Sequence, residues 1–317
     1  MSGSGPLPRP PQATYNDQER SGSTADAHRH VCVITGATRG IGRATAVELT
    51  RRGAEVVIVG RDEQRLDATR AELQRLTSNA RVFWIHADFA SLQSVRGAAE
   101  EIAHRWPAIQ VLVNNAGINA ARRALSVDGH ELTFAVNHLA PFQLTMHLLP
   151  ALARGAPARV INVTSVFAFL GGLDLDDLMM TRGRYNPTRA YTQSKLANMM
   201  FTVELAARLE GSGIAVNCVS PGLVATDLLR DHWYSVGWLR SLWQRALLTP
   251  ERAAARVVRV ATSETLAGAS GQCFATSEQP TMMPRRVRDA EARRRLWDAS
   301  VELTGAPDVA GSLRSAR

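Results

Sequence analysis

The stretch VCVITGATRGIGRATAVELTRRG, residues 31–53, decides how the chain is read. It opens on VCVIT, a run of β-branched and apolar residues with the composition of a buried strand. Three glycines, Gly36, Gly40 and Gly42, then lead straight into a helical pattern, RATAVELTRRG. Glycine permits a tight turn there, and it lets an anionic group approach backbone N–H groups at the positive end of a helix. The spacing is G-x-x-x-G-x-G rather than the G-x-G-x-x-G of the general dinucleotide fingerprint, and a glycine triplet alone also describes a flexible loop. Succession settles the reading, because a second buried run, EVVIV (55–59), follows the helix.

The same alternation continues outward. RVFWIHA (81–87), IQVLV (109–113), RVINVTS (159–165) and IAVNCVS (214–220) are separated by amphipathic segments, and GQCFA (271–275) offers a seventh run. This pattern predicts the α/β class: a single-domain, Rossmann-type doubly wound parallel sheet of about seven strands, with helices on both faces. In such a sheet ligands bind beyond the carboxyl ends of the strands, which is where the polar motifs of this chain fall.

Composition narrows the function. With 317 residues and 45% hydrophobic content, the chain can bury one large core. The net charge of +8 is not concentrated. The first 30 residues balance to zero, and from Arg285 onward eight arginines against five acids leave +3, interleaved as on a solvated helix face. No helix-turn-helix or zinc spacing accompanies the charge, so nucleic acid is not an expected partner. Cys32, Cys218 and Cys273 are scattered without CxxC spacing, which argues against a disulfide framework or a metal site and for a reducing, cytoplasmic setting. No apolar run approaches the roughly 18 residues of a membrane span.

The second strand of a dinucleotide fold usually ends in an acid that holds the ribose 2′-OH of NAD. Here it ends VIVGRD, with Gly60 and Arg61 at that place, and Arg39 lies inside the glycine loop. Two guanidinium forks suit a 2′-phosphate, so NADP is favoured over NAD. Asp62 follows immediately, and its competing role is N-cap of the helix EQRLDATRAELQRL.

Of the 37 basic residues only Lys195 is lysine. Asn186 and Pro187 make a helix start, Asn as N-cap and Pro at the first helical position, and the helix is expected over about 187–210. Tyr191 and Lys195 then lie one turn apart on one face. A phenol with an ordinary pKa of about 10 is a poor base at neutral pH, and an adjacent ammonium favours its phenolate. Tyr185 competes less well, because it precedes the helix. Ser165, ending the fifth run, can orient a substrate oxygen toward Tyr191, or it can satisfy strand-end backbone; strand alternation points Thr164 to the other face.

With these residues in view, the chain resembles the short-chain dehydrogenase/reductase superfamily over roughly residues 31–275. The matching motifs are TGATRGIG, NNAG (114–117), Asn137 in AVNHLAPF, Ser165 in INVTS, YTQSK (191–195) and PGLVATDL (221–228). VNHLAPFQLT, YTQSKLAN and RRRLWDASVELTG are similar to the retinol-dehydrogenase-like branch and its bacterial relatives. The resemblance implies a catalytic set of Ser165, Tyr191 and Lys195, with Asn137 positioning a water in a proton relay. It implies cofactor contacts from Gly36, Thr38, Arg39, Gly40, Ile41, Gly42 and Arg61 on the phosphate side. Asp88 would meet the adenine, while Asn114, Ala116 and Gly117 form a turn in which packing is as plausible as contact. Pro221, Gly222 and Thr226 would meet the nicotinamide.

The implied function is NADP(H)-dependent hydride transfer between nicotinamide and a carbonyl or alcohol of a lipophilic small molecule. The alternatives are a non-catalytic dinucleotide-binding sensor or scaffold and a dehydrogenase working at a membrane surface. A long connection separates Ser165 from Tyr191 and is expected to wall the substrate cleft. Trp233, Trp238 and Trp243 suit a lid, an interfacial helix pair or core packing. We therefore divide the chain into a disordered leader (1–30), a catalytic domain (31–303) with a lid at about 226–248, and a flexible tail (304–317). A homodimer is compatible with this plan.

Overall fold

The computed structural model of the chain describes residues 30–222, 248–309 and 313. Seven strands, β1 (Val31–Thr35), β2 (Glu55–Gly60), β3 (Val82–His86), β4 (Val111–Asn114), β5 (Ala158–Val163), β6 (Ile214–Val219) and β7 (Cys273–Phe274), form one sheet in the order β3-β2-β1-β4-β5-β6-β7. Every pairing is parallel. The chain winds outward from β1 to β3, returns to β4 on the other side of β1, and winds outward again. The switch point at β1 and β4 opens the crevice in which such sheets bind ligands.

Residue alternation assigns the two faces. Val33, Val57, Leu112, Val160 and Val216 enter one core with α3 (Leu92–Arg105) and α5 (Ala140–Arg154). Their neighbours Ile34, Ile58, Val113, Ile161 and Val219 enter a second core with α1 (Gly40–Arg51) and α2 (Glu63–Thr77). A period of two along strands covered on both faces explains why each strand reads as a continuous apolar run. Leu196, Met199 and Met200 of α6 (Pro187–Arg208) pack in a third cluster. The carboxyl-terminal helix, α8 (Ala290–Thr304), joins that cluster through Ala292 and Leu296, and α7 (Pro250–Thr262) joins the second core through Val257.

Helix α5 is entered through a short turn, α4 (Leu132–Phe134), and a π-helical segment, Ala135–Leu139. Pro141 has no N–H to give to the carbonyl of Asn137, and the Ala140 N–H bonds instead to Ala135 O. The Asn137 carbonyl is thereby released from the helix ladder.

Ala306 and Val309 are buried in the first core and Leu313 packs against it, so the packed chain runs past residue 303 into the segment expected as a free tail. Most of the expected leader and the Trp-bearing lid, with Thr226, lie outside the described residues. Among the described residues no helix is long and apolar enough to cross a membrane.

Candidate active site

A cavity of about 470 Å³ opens at the carboxyl ends of the central strands. It reaches from Arg39, Arg61 and Asp88 at one end to Ser165, Tyr191 and Lys195 at the other. A larger cavity of about 770 Å³ lies at the opposite ends of the strands, lined by His30, Pro157 and Gly213 among others, and it contains none of the site residues expected from sequence. The chemistry belongs to the smaller cavity.

The glycine loop explains its own composition. Gly36 and Gly40 adopt positive φ, 66° and 56°, where a side chain would strain the backbone. Gly42 does not line the cavity; a Cβ there would lie 2.4 Å from both Asn115 Nδ2 and Gly36 O. Its role is to let α1 start against the loop. Gly36, Thr38, Arg39, Gly40 and Ile41 do line it, as do Asp88, Ala116, Gly117, Pro221 and Gly222.

Asn114 corrects the sequence expectation. Its amide is buried within the sheet, donating to Thr145 Oγ1 and to Asn162 Oδ1, both at 2.9 Å, and it does not reach the cavity. The next residue, Asn115, lines the cavity and donates to the carbonyls of Thr35 and Gly36 at 2.9 and 3.1 Å. Thr35 Oγ1 in turn accepts from the N–H groups of Asn115 and Ala116 at 3.0 Å. Asn115 was missed although the NNAG motif contained it, because a strand end shifted by one residue exchanges the two roles.

At the 2′ end, Asp62 is committed to α2. It accepts from Arg65 N at 3.1 Å and pairs with the Arg65 guanidinium. Arg61 is exposed at the cavity rim, and no hydrogen bond or ion pair engages it among the described residues.

The catalytic end is built by α6. Asn186 caps it by accepting from Arg189 N at 3.0 Å, which starts the helix so that Tyr191 and Lys195 both face the cavity. Lys195 is 4% exposed, and its ammonium donates to Val163 O at 3.1 Å. Ser165, two residues beyond the end of β5, caps the following turn by accepting from Phe167 N at 3.3 Å and lines the cavity together with Tyr191. Phe167 stands edge-on to Tyr191, ring centroids 6.4 Å apart, and of the long connection it is the residue that lines the cavity. Leu173 and Leu178 of that connection pack instead against α6, so the expected wall reduces to one aromatic ring.

Asn137 is fully buried beneath the cavity. Its Oδ1 accepts from Ile118 N at 2.8 Å, and its Nδ2 donates to Ile118 O and Ser194 Oγ, both at 2.9 Å. A Cβ on Gly117 would come within 3.3 Å of both Asn137 Oδ1 and Lys195 Nζ, so glycine there leaves room for the pair. Tyr185 is engaged elsewhere, donating to the buried carboxylate of Glu131 at 2.9 Å. Thr164 donates to Val219 O, a structural bond.

The electrostatics differ from the expected picture. Burial pushes Tyr191 up to about 12, against a lowering influence of the Ser165 hydroxyl. The Lys195 ammonium stands 5.7 Å from the centre of the Tyr191 ring and is bonded to a backbone carbonyl, so desolvation outweighs the charge expected to favour the phenolate. Burial also brings Lys195 down to about 8 from 10.5. Between those values the unfolded chain holds the proton more firmly than the folded one. The cost of burying this charge is therefore fully present below pH 8 and relieved as pH rises toward 10.5. Across that window the thermal midpoint of the wild type should rise relative to that of Lys195→Met, and a constant difference would contradict it.

The residues present fit a dinucleotide. Gly36 and Gly40 form a cradle that Cβ atoms would spoil, Arg39 and Arg61 supply cationic donors at one end, and at the other the buried ammonium has a single acceptor among the described residues.

Comparison with known proteins agrees with this geometry. Residues 30–235 match the short chain dehydrogenase family. Human retinol dehydrogenase 13 is 38% identical over 284 residues, covering 87% of this chain and 86% of that protein. Bovine retinol dehydrogenase 12 is 39% identical over 275 residues, with 87% and 86% coverage. Among solved structures, an uncharacterized protein from Mycobacterium paratuberculosis superposes with a TM-score of 0.73 at 33% identity, covering 89% of this chain and 97% of that one. The RhlG protein of Pseudomonas aeruginosa, in an active-site complex with NADP, has a TM-score of 0.63 at 29% identity, covering 78% and 94%.

Proposed function

The chain belongs to the short-chain dehydrogenase family, in its retinol-dehydrogenase-like branch, and from that premise we propose that this oxidoreductase uses NADPH to reduce the carbonyl of a lipophilic small molecule. The observation that carries the reading is one cavity lined by Ser165, Tyr191 and Lys195, with Arg39 and Arg61 at its far end. The cofactor, when bound, supplies the hydride. The chain supplies position and the proton. Ser165 holds the substrate oxygen next to the phenol. Tyr191, protonated at neutral pH, gives its proton to that oxygen. Lys195 has ammonium protons left for ribose hydroxyls, and Asn137 keeps the floor of the site in register through Ile118.

Four observations support the finer statements. Asp62 is spent as a helix cap while Arg61 stands at the rim, which favours a 2′-phosphate over a 2′-OH. The NADP complex of RhlG is consistent with that choice. Phe167 and Ile118 give the substrate end an apolar lining, and the relatives named for retinol act on a lipophilic alcohol. Three free, buried cysteines support the cytoplasmic setting.

NADPH oxidation against a panel of aldehydes, ketones and quinones that includes retinaldehyde tests the reading; no turnover with any of them would reject it. Arg61→Asp tests the cofactor. A hydrogen bond to a charged group contributes about 1.5–3 kcal/mol, so the kcat/KM ratio of NADPH to NADH should fall about 10- to 100-fold. An unchanged ratio would place the 2′ site elsewhere.

A further inference from the structure

His138 is a fully buried residue of the π-helical segment, in contact with α6 through Asn198 and α8 through Ser300, and the mechanism above does not use it. Its ring lies among aromatics, 4.9 Å from Phe134 and 6.2 Å from both Phe142 and Phe201. A polar ring in such surroundings must satisfy both nitrogens. Nδ1 lies 3.1 Å from Asn198 Oδ1, and Nε2 lies 2.9 Å from Ser300 Oγ.

The neighbours assign the tautomer. Asn198 Nδ2 donates to Asn137 O at 2.7 Å, the carbonyl that Pro141 releases. Asn198 therefore presents its oxygen to His138, so Nδ1 carries the proton and Nε2 faces the Ser300 hydroxyl as an acceptor, sharing that hydroxyl's single proton with Leu296 O, 2.7 Å from the same Oγ. Burial lowers His138 to about 4, which keeps the ring neutral. The contacts form a chain from Ser300 on α8, through His138 and Asn198, to the backbone of Asn137. From there the Asn137 amide clamps Ile118 under the cavity and bonds Ser194, whose hydroxyl donates to Tyr191 O at 2.8 Å.

We propose that His138 is a positioning residue for this site, and that through it the carboxyl-terminal helix sets the alignment of Asn137 and the Tyr191–Lys195 turn. The proposal rests on the oxidoreductase reading. A displacement of even about 1 Å at a reacting centre can lower a rate about 100-fold, so a lost link at this remove has a kinetic signature without loss of cofactor binding.

The test is a double-mutant cycle on the full chain. Ser300→Ala removes the hydroxyl that lies between His138 Nε2 and Leu296 O, in a helix that tolerates alanine, and should lower kcat about fivefold. His138→Phe keeps the aromatic packing and should lower kcat by up to about 100-fold. In both, the NADPH dissociation constant stays within about twofold and the isotope effect with deuterated NADPH rises, whereas a smaller active fraction would leave that isotope effect unchanged. The double variant should be no slower than His138→Phe, because both changes break one chain. Wild-type kcat and isotope effect in Ser300→Ala, or losses that multiply in the double variant, would overturn the proposal. If His138→Phe fails to fold, Ser300→Ala decides alone. If the wild type turns over no carbonyl, the functional reading fails separately. Amide exchange at Ile118 then decides: faster in Ser300→Ala supports the chain, and unchanged overturns it.

Discussion

Tyr191→Phe should lower kcat for carbonyl reduction by about 10³-fold, inside the 10²–10⁴ range that a positioned general acid or base contributes. The substitution is isosteric in the ring, so packing against Phe167 is retained and the helix from Asn186 is untouched. What disappears is a hydroxyl in the same cavity as Ser165 and a proton that burial keeps on the phenol up to a pKa of about 12. No other described group offers that proton at the same place, since Tyr185 is bonded to Glu131 and Lys195 to a carbonyl. NADPH affinity, followed by the quench of protein fluorescence, should remain near that of the wild type because the glycine loop and Arg61 are unchanged. A variant retaining more than about a tenth of wild-type kcat would remove Tyr191 from the mechanism.

Lys195→Arg has the second largest expected effect, although it preserves the charge. Its Nζ sits under Gly117, where even a Cβ would approach within 3.3 Å, and Asn137 closes the same space. A guanidinium is broader and planar, and forcing it into a packed site costs about 1–3 kcal/mol in stability. It would also aim its fork away from the position from which an ammonium reaches ribose hydroxyls. We expect kcat/KM for NADPH to fall about 100-fold with a measurable drop in thermal midpoint. Near-normal kcat/KM in Lys195→Arg would mean that the one lysine among 37 basic residues is an accident of composition.

Much of the site was legible because its determinants are local. The cap at Asn186, the one-turn spacing of Tyr191 and Lys195, and the cap at Asp62 depend on residues three or four apart, and the structure has all three. Strand alternation was equally legible, since burial on both faces of the sheet demands continuous apolar runs. Asn114 and Asn115 were not separable, because the register of a single strand end decides which side chain turns into the sheet and which into the cavity.

What the sequence by itself determined is therefore the winding of the sheet, the place of the crevice and the one-turn spacing of Tyr191 and Lys195. Each follows from periodicity or from short-range hydrogen bonding. Only the tertiary structure decided the protonation of the pair, the packing of residues 306 and 309, and the link from Ser300 to His138 across 162 positions. Desolvation is the sum over everything packed around a group, and a contact between distant segments exists only once the layers close. Neither has a signature in spacing along the chain.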